Sequence, residues 1–268
     1  MTSGIGRAWC CCLTALLAGI VCTAAKAGAQ DAGGETTQLL AQARQKYYNL
    51  RREGLIRFES NVQPNWKVLL GDDQTPDTLR LLEAIHFSLS VDSESKLRLA
   101  HSSDVIPVNE KSAAAFDQIY RQMNQAVSRF FATWSIFMLT SPFPEKGSEF
   151  ELEQKQDQFR FLQNQPDRRT LTITDRNFMI TEMIVRGENF NASLKPDLES
   201  TSSGYILKGY TGTYDTPSGA RNTLLKVSLD YEQIGRLRLP HKVNLETVYE
   251  GKPAQMEWLF TDYKVKTQ

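Results

Sequence analysis

The chain has 268 residues, 41% of them hydrophobic and 10% aromatic, which is enough for a substantial core. Its 31 basic and 31 acidic residues cancel, so no electrostatic footprint favours nucleic acid or an anionic membrane surface. No internal repeat, low-complexity tract or linker divides the chain, so one domain is expected over residues 30–268.

Residues 1–29 read as a secretory signal peptide. Arg7 supplies the positive start, and Trp9 to Thr23 is an apolar run too short to span a membrane. Ala27-Gly28-Ala29 fits a cleavage site, which sets Gln30 as the first mature residue. The alternatives are an uncleaved anchor and lipidation at Cys22, although Val21 is larger than the residue normally found before a lipidated cysteine. Cys10, Cys11, Cys12 and Cys22 all lie in this leader, so cleavage leaves no disulfide, thiol nucleophile or thiolate metal site. Losing Arg7 and Lys26 as well leaves 29 basic against 31 acidic residues, a net charge of −2.

The first mature helix is expected to be capped by Thr36 or Thr37 and to run to about Arg52. Leu39, Leu40, Ala43, Tyr47 and Leu50 recur at helical spacing, and Gly54 stops it. Leu55 to Val62 and Trp66 to Leu70 read as strands. Pro76 then opens a short helix ending near Ala84. Ile85, Phe87, Leu89 and Val91 alternate as a strand, with Lys96 to His101 as its hairpin partner.

The strongest helix follows, about Glu110 to Leu139. Phe116, Ile119, Met123, Val127, Phe130, Trp134 and Phe137 fall at steps of three and four. Its second half, RFFATWSIFML, is apolar nearly all round and must be enclosed on most sides, and Pro142 and Pro144 end it.

From Ser148 onward the pattern is strands. Phe150 with Leu152, then Phe159 with Phe161, alternate with polar neighbours, and Thr170 to Thr174 follows. Asn177 to Arg186 is apolar on both faces, so one side meets the core and the other a helix or a ligand. Tyr205 to Tyr214 and Asn222 to Tyr231 are strands, and Gly235 turns the chain into a strand reaching Tyr249. Pro240 in that strand requires an edge or a bulge. In the last strand the apolar phase moves from Met256, Trp258 and Phe260 to Tyr263 and Val265, which calls for a bulge near Thr261-Asp262. The sum is eleven to thirteen strands and two or three helices. That is an α+β fold: a large curved antiparallel sheet, or incomplete β-barrel, with helices packed on its concave face.

The closing segment resembles the C-terminal end of the LolA/LolB-like superfamily of periplasmic lipoprotein carriers. The matching residues are Leu239, Pro240, Val243, Leu245, Phe260, Thr261, Asp262, Tyr263 and Val265. A second match is Ala43 to Leu50 (ARQKYYNL) before the strand Gly54 to Val62, which resembles the family's opening helix. The long central helix departs from the family, and its lid and polar latch residue map onto no position here. The resemblance implies a half-barrel with a helix-lined apolar interior that holds acyl chains. It also implies a bacterial, periplasmic protein, with extracellular or lipid-anchored locations as alternatives.

No catalytic motif is present, and neither an enzyme nor a cofactor is expected. His86, His101 and His241 lack metal-ligand spacing. Asp72, Asp73 and Asp77 lack a calcium-loop pattern and read as a solvated turn. Glu149, Glu151 and Glu153 form a carboxylate row on one strand face, read as solvated rather than as a glycosidase pair. Asn191-Ala192-Ser193 is a glycosylation sequon, relevant only in a eukaryotic secretory host.

The candidate ligand-binding residues are Phe116, Met123, Phe130, Trp134, Phe137, Phe178, Ile180, Trp258 and Phe260. They either line a cavity for lipid acyl chains or form a filled core. The first option is a carrier for lipids or lipid-modified proteins. The second is an interaction or sensor module for an envelope protein, with its own helix filling the half-barrel. A monomer without an integral membrane span is expected in both.

Overall fold

The computed structural model describes residues 34–71, 75–104, 110–145, 147–215, 222–249 and 251–268. The leader with its cleavage site and four cysteines lies outside these residues, as do Asp72 and Asp73. In chain order the elements are α1 (Gly34–Gln45), β1 (Leu55–Pro64), α2 (Trp66–Leu70), α3 (Pro76–Glu83), β2 (Ile85–Asp92), β3 (Leu97–Ser103) and α4 (Glu110–Met138). Nine strands follow: β4 (Glu151–Gln154), β5 (Gln158–Gln165), β6 (Arg168–Asp175), β7 (Ile180–Gly187), β8 (Asn191–Thr201), β9 (Gly204–Asp215), β10 (Asn222–Ile234), β11 (Leu237–Tyr249) and β12 (Lys252–Thr267).

The twelve strands form one antiparallel sheet in the order β3-β2-β1-β12-β11-β10-β9-β8-β7-β6-β5-β4. It curves without closing into a barrel. β12 returns beside β1, so the first and last strands meet in mid-sheet, and α4 lies in the chain between the two edge strands, β3 and β4. Apolar side chains alternate onto the face that α4 covers. In β10, Leu225, Val227 and Leu229 are buried while Lys226, Ser228 and Asp230 are exposed.

Several local expectations need correction. Trp66–Leu70 is a short helix, not a strand: the Asn65 side chain accepts from the Val68 N–H and caps it, and Asn65 Nδ2 donates to Glu257 Oε1 at 2.9 Å. The first helix is already formed at Gly34, before the expected threonine cap, and ends at Gln45 rather than near Arg52. Strand β7 starts at Ile180 because Phe178 takes a positive φ of 65° and turns the chain. Asn191–Thr201 is a full strand that the sequence pattern does not announce. Pro240, by contrast, takes one of its two expected placements, a bulge, here in an interior strand: Tyr231 pairs with Pro240 and Asp230 with Lys242, leaving His241 as the extra residue. The last-strand bulge falls where the phase slip requires it, with Asp262 at φ 55°.

The ladder opens in two places, and tyrosines occupy both. β9 follows β8 along its whole length but pairs with β10 only from Gly209 onward. A Cβ at Gly209 would lie 2.4 Å from the Val227 carbonyl oxygen, so only glycine allows the close approach where the two strands separate. Before Gly209, β9 turns to residues 46–48 instead. The Tyr205 N–H donates to the Lys46 carbonyl at 2.7 Å, and the Tyr48 N–H to the Tyr205 carbonyl at 3.0 Å. Across the same opening the Tyr231 hydroxyl donates to the Leu207 carbonyl at 2.6 Å.

The second opening separates β7 from β8, which pair only between Met183 and Arg186. There the Tyr47 hydroxyl donates to the Phe178 carbonyl at 3.0 Å and accepts the Ile180 N–H at 2.8 Å. Next to it, the Tyr48 hydroxyl donates to the Arg236 carbonyl and accepts the Arg238 N–H in the β10–β11 turn. At the Pro240 bulge the Tyr263 hydroxyl donates to the Pro240 carbonyl. Buried backbone groups without partners cost free energy, and hydroxyls that both donate and accept suit such irregular sites.

Burial holds the Tyr47, Tyr210, Tyr231 and Tyr263 hydroxyls far above their ordinary pKa of 10.0. A raised folded pKa means the neutral form is favoured by folding, so this stability is intact below the unfolded value and is lost as pH rises beyond it. These tyrosines should therefore leave the urea midpoint unchanged from about neutral pH up to about pH 10 and lower it above that. Tyr47→Phe strands the Ile180 N–H and should cost about 1–3 kcal/mol in the same assay.

Candidate functional site

Helix α4 presents an apolar stripe to the sheet. Met123, Ala126, Val127, Phe130, Phe131, Trp134, Phe137 and Met138 are all buried. The stripe persists because these positions recur every three or four residues, close to the 3.6-residue helical turn. At its N-terminal half, Phe116, Ile119 and Tyr120 are half-buried against the same core. The Tyr120 hydroxyl donates to the Leu99 carbonyl of β3 at 3.0 Å. At the C-terminal end Asn49 Nδ2 donates to the carbonyls of Leu139 and Thr140, and the Leu50 N–H to that of Met138. The helix is thus fastened at its C-terminal end and, through Tyr120, part-way along its N-terminal half.

In the centre, rings from α4 meet rings from β1 and β12. Phe130 packs on Trp258 with centroids 6.0 Å apart, and Phe131 on Phe260 at 5.8 Å. Trp134 meets Phe58 at 6.3 Å, edge to face. Its indole N–H donates to the Tyr231 hydroxyl at 3.2 Å, so one relay runs Trp134 to Tyr231 to the Leu207 carbonyl. The helix is therefore hydrogen-bonded through Tyr231 to the place where β9 and β10 part.

The nine sequence-nominated residues divide into groups. Met123, Phe130, Trp134, Trp258 and Phe260 lie in the α4–sheet core with Phe137, and Phe116 lies half-buried near the helix start. Phe178 and Ile180 belong to the Tyr47 region instead. Phe178 stacks on Phe159 at 4.9 Å, and the Arg176 guanidinium sits 5.0 Å from the Phe159 ring on which it lies. Except for Phe116, the nine are at most 6% exposed. A side chain bordering a water-sized void would keep touchable surface, and these keep almost none. Phe58, Phe131 and Tyr231 complete the central cluster and were not nominated. The all-round apolar run around Phe131 and the buried parity of Phe58 in β1 are the signals that could have found them.

The polar inventory is thin. His86 pairs with Asp104 at 2.7 Å, His101 stacks on Tyr120 at 3.9 Å, and His241 lies 3.6 Å from Glu232. Among the described residues no group of His, Cys, Asp and Glu side chains is arranged to hold a metal ion. Among the described residues the Trp258 indole N–H and the Thr223 and Thr247 hydroxyls are buried without hydrogen-bond partners. A separate depression of about 370 Å³ lies at the β7–β8 hairpin and the end of β9, lined by Ile184, Arg186, Asn191, Ala192, Ser193, Thr213 and Asp215. The expected carboxylate row falls on edge strand β4 and the residues before it, with Glu149, Glu151 and Glu153 all exposed. Among the described residues no helix is long and apolar enough to cross a membrane.

No family model matches the chain, no curated protein matches it, and no solved structure matches it.

Trp134→Ala removes a fully buried indole from the middle of the stripe and should cost about 3–5 kcal/mol of stability in urea unfolding. Tyr231→Phe should cost about 1–3 kcal/mol, because both the Trp134 N–H and the Leu207 carbonyl lose their partner.

Proposed function

We propose that the chain is an exported, non-enzymatic binding module of the half-barrel kind, in which α4 takes the place an apolar guest would occupy and an envelope protein is the partner. The observation that carries this reading is the direct ring packing of Phe130, Phe131 and Trp134 on Phe58, Trp258 and Phe260. Export rests on Arg7, the Trp9–Thr23 run and Ala27-Gly28-Ala29.

Magnitudes favour the resident helix over a lipid. Seven large side chains of α4 lie buried, each worth about 1.5–3 kcal/mol relative to exposure, or roughly 10–20 kcal/mol together. An acyl chain of about 16 carbons gains roughly 13 kcal/mol from water at about 0.8 kcal/mol per CH₂. The two sums are of the same size, and an acyl chain arriving from a bilayer is already shielded from water. A single chain therefore gains little by displacing α4.

A carrier for lipids or lipid-modified proteins is the second reading. It is favoured by the half-burial of Phe116, Ile119 and Tyr120, which makes the N-terminal half of α4 the less enclosed end. Native mass spectrometry of the protein purified from a bacterial periplasm without detergent separates the two. The expected result is an apo mass that starts at Gln30 and stays unchanged on adding phospholipid vesicles. A stoichiometric lipid adduct that Trp134→Ala abolishes would replace the helix-filled reading with the carrier.

A further inference from the structure

We propose that edge strand β4 of one molecule pairs antiparallel with edge strand β3 of a second copy, so that the chain associates head to tail. The sheet is open, and among the described residues β3 and β4 are its two edge strands, neither paired with a further strand. Their backbone phase follows from the hydrogen bonds at their turns. The Asp92 N–H donates to the Lys96 carbonyl and the Asp104 N–H to the Ala84 carbonyl, so even-numbered residues of β3 bond to β2. Odd-numbered residues Leu97, Leu99 and His101 direct their N–H and C=O groups outward. The Tyr120 hydroxyl on the Leu99 carbonyl agrees with this phase, and an incoming strand must share that carbonyl with Tyr120 or displace it. On β4 the Lys155 N–H donates to the Gln158 carbonyl, so odd residues bond to β5, while Leu152 and Gln154 offer their groups outward.

One register satisfies both edges. Opposing Leu152 with Leu97 sets Phe150 against Leu99, and all four of these side chains lie on the core face. It also sets Glu151 against Arg98 and Glu153 against Lys96 on the outer face, where all four are exposed. These last two are the non-hydrogen-bonded pairs of the new ladder, where side chains approach most closely. The acidic row on β4 therefore meets the basic row on β3, with apolar against apolar behind it. In this register Glu153 must share its carboxylate with Arg160, at 3.9 Å, and Lys96 its ammonium with Glu94, at 2.6 Å. Because the contact joins two different edges, it is heterologous and leaves a free β3 at one end and a free β4 at the other. This inference goes beyond the binding role proposed above and revises the expectation of a monomer.

Sedimentation velocity over a concentration series tests it. The full chain should gain mass with concentration. Glu151→Lys with Glu153→Lys should weaken association by roughly tenfold, since each opposite-charge pair becomes a like-charge pair. Lys96→Glu with Arg98→Glu should do the same, and mixing the two charge-reversed proteins should restore assembly. Leu152→Pro removes an outward N–H together with the leucine side chain, takes no donor from the β4–β5 ladder and should give a monomer. A single monomer mass at every concentration would overturn the proposal. So would association indifferent to both charge reversals, and that result would point to another surface or an unrelated partner strand.

Discussion

The fold depends on the short segment Tyr47-Tyr48-Asn49-Leu50. A twelve-stranded antiparallel sheet that bends around a helix cannot keep every ladder intact, and buried backbone groups cannot be left unpaired. The segment meets this constraint at several places together. Its main chain takes over from β10 along β9, and the Tyr47 hydroxyl serves the start of β7. The Tyr48 hydroxyl serves the β10–β11 turn, and Asn49 with Leu50 closes the end of α4. Tyr231 and Tyr263 extend the device to the β9–β10 opening and the Pro240 bulge. Curvature is obtained by opening the ladder locally and filling the openings with hydroxyls.

This arrangement determines what the concave face can do. Because α4 is tied at its C-terminal end and at Tyr120, and hydrogen-bonded through Trp134 to the β9–β10 opening, it is a structural part of the half-barrel rather than a loosely held cover. Helix and sheet bury each other's apolar faces, and a guest would have to replace that burial in kind. A half-barrel occupied in this way is suited to presenting its outer face and edges to partners. The side chains that carry charge lie there, and among the described residues neither edge strand pairs with a further strand.

Much of the architecture is legible in the sequence, and the failures have identifiable causes. Alternation in β10 to β12 is strict because one face is buried and the other wet, and the phase slip at Asp262 marks its bulge without ambiguity. The α4 stripe is equally plain. β8 is not, since no residue in it is fully buried and Pro196 argues against a strand. Trp66–Leu70 alternates like a strand, but capping by Asn65 decides for a helix. Tyr47 and Leu50 fit the period of the preceding helix. Their role depends on backbone groups of Phe178, Ile180, Tyr205 and Met138, which no local pattern announces. For the same reason Phe178 and Ile180 are correctly read as apolar but not as belonging to the Tyr47 region: periodicity gives the face of a strand, not the element that covers it.

The central claim is that α4 is a fixed occupant of the half-barrel, and native-state hydrogen exchange on the intact protein tests it most directly. The account predicts that amides in the second half of α4, around Phe130 to Phe137, exchange only on global unfolding, with protection equal to that of β1 and β12. Exchange of this segment through a much cheaper local opening, while β1 and β12 stay protected, would contradict it and make α4 a lid over a site that opens.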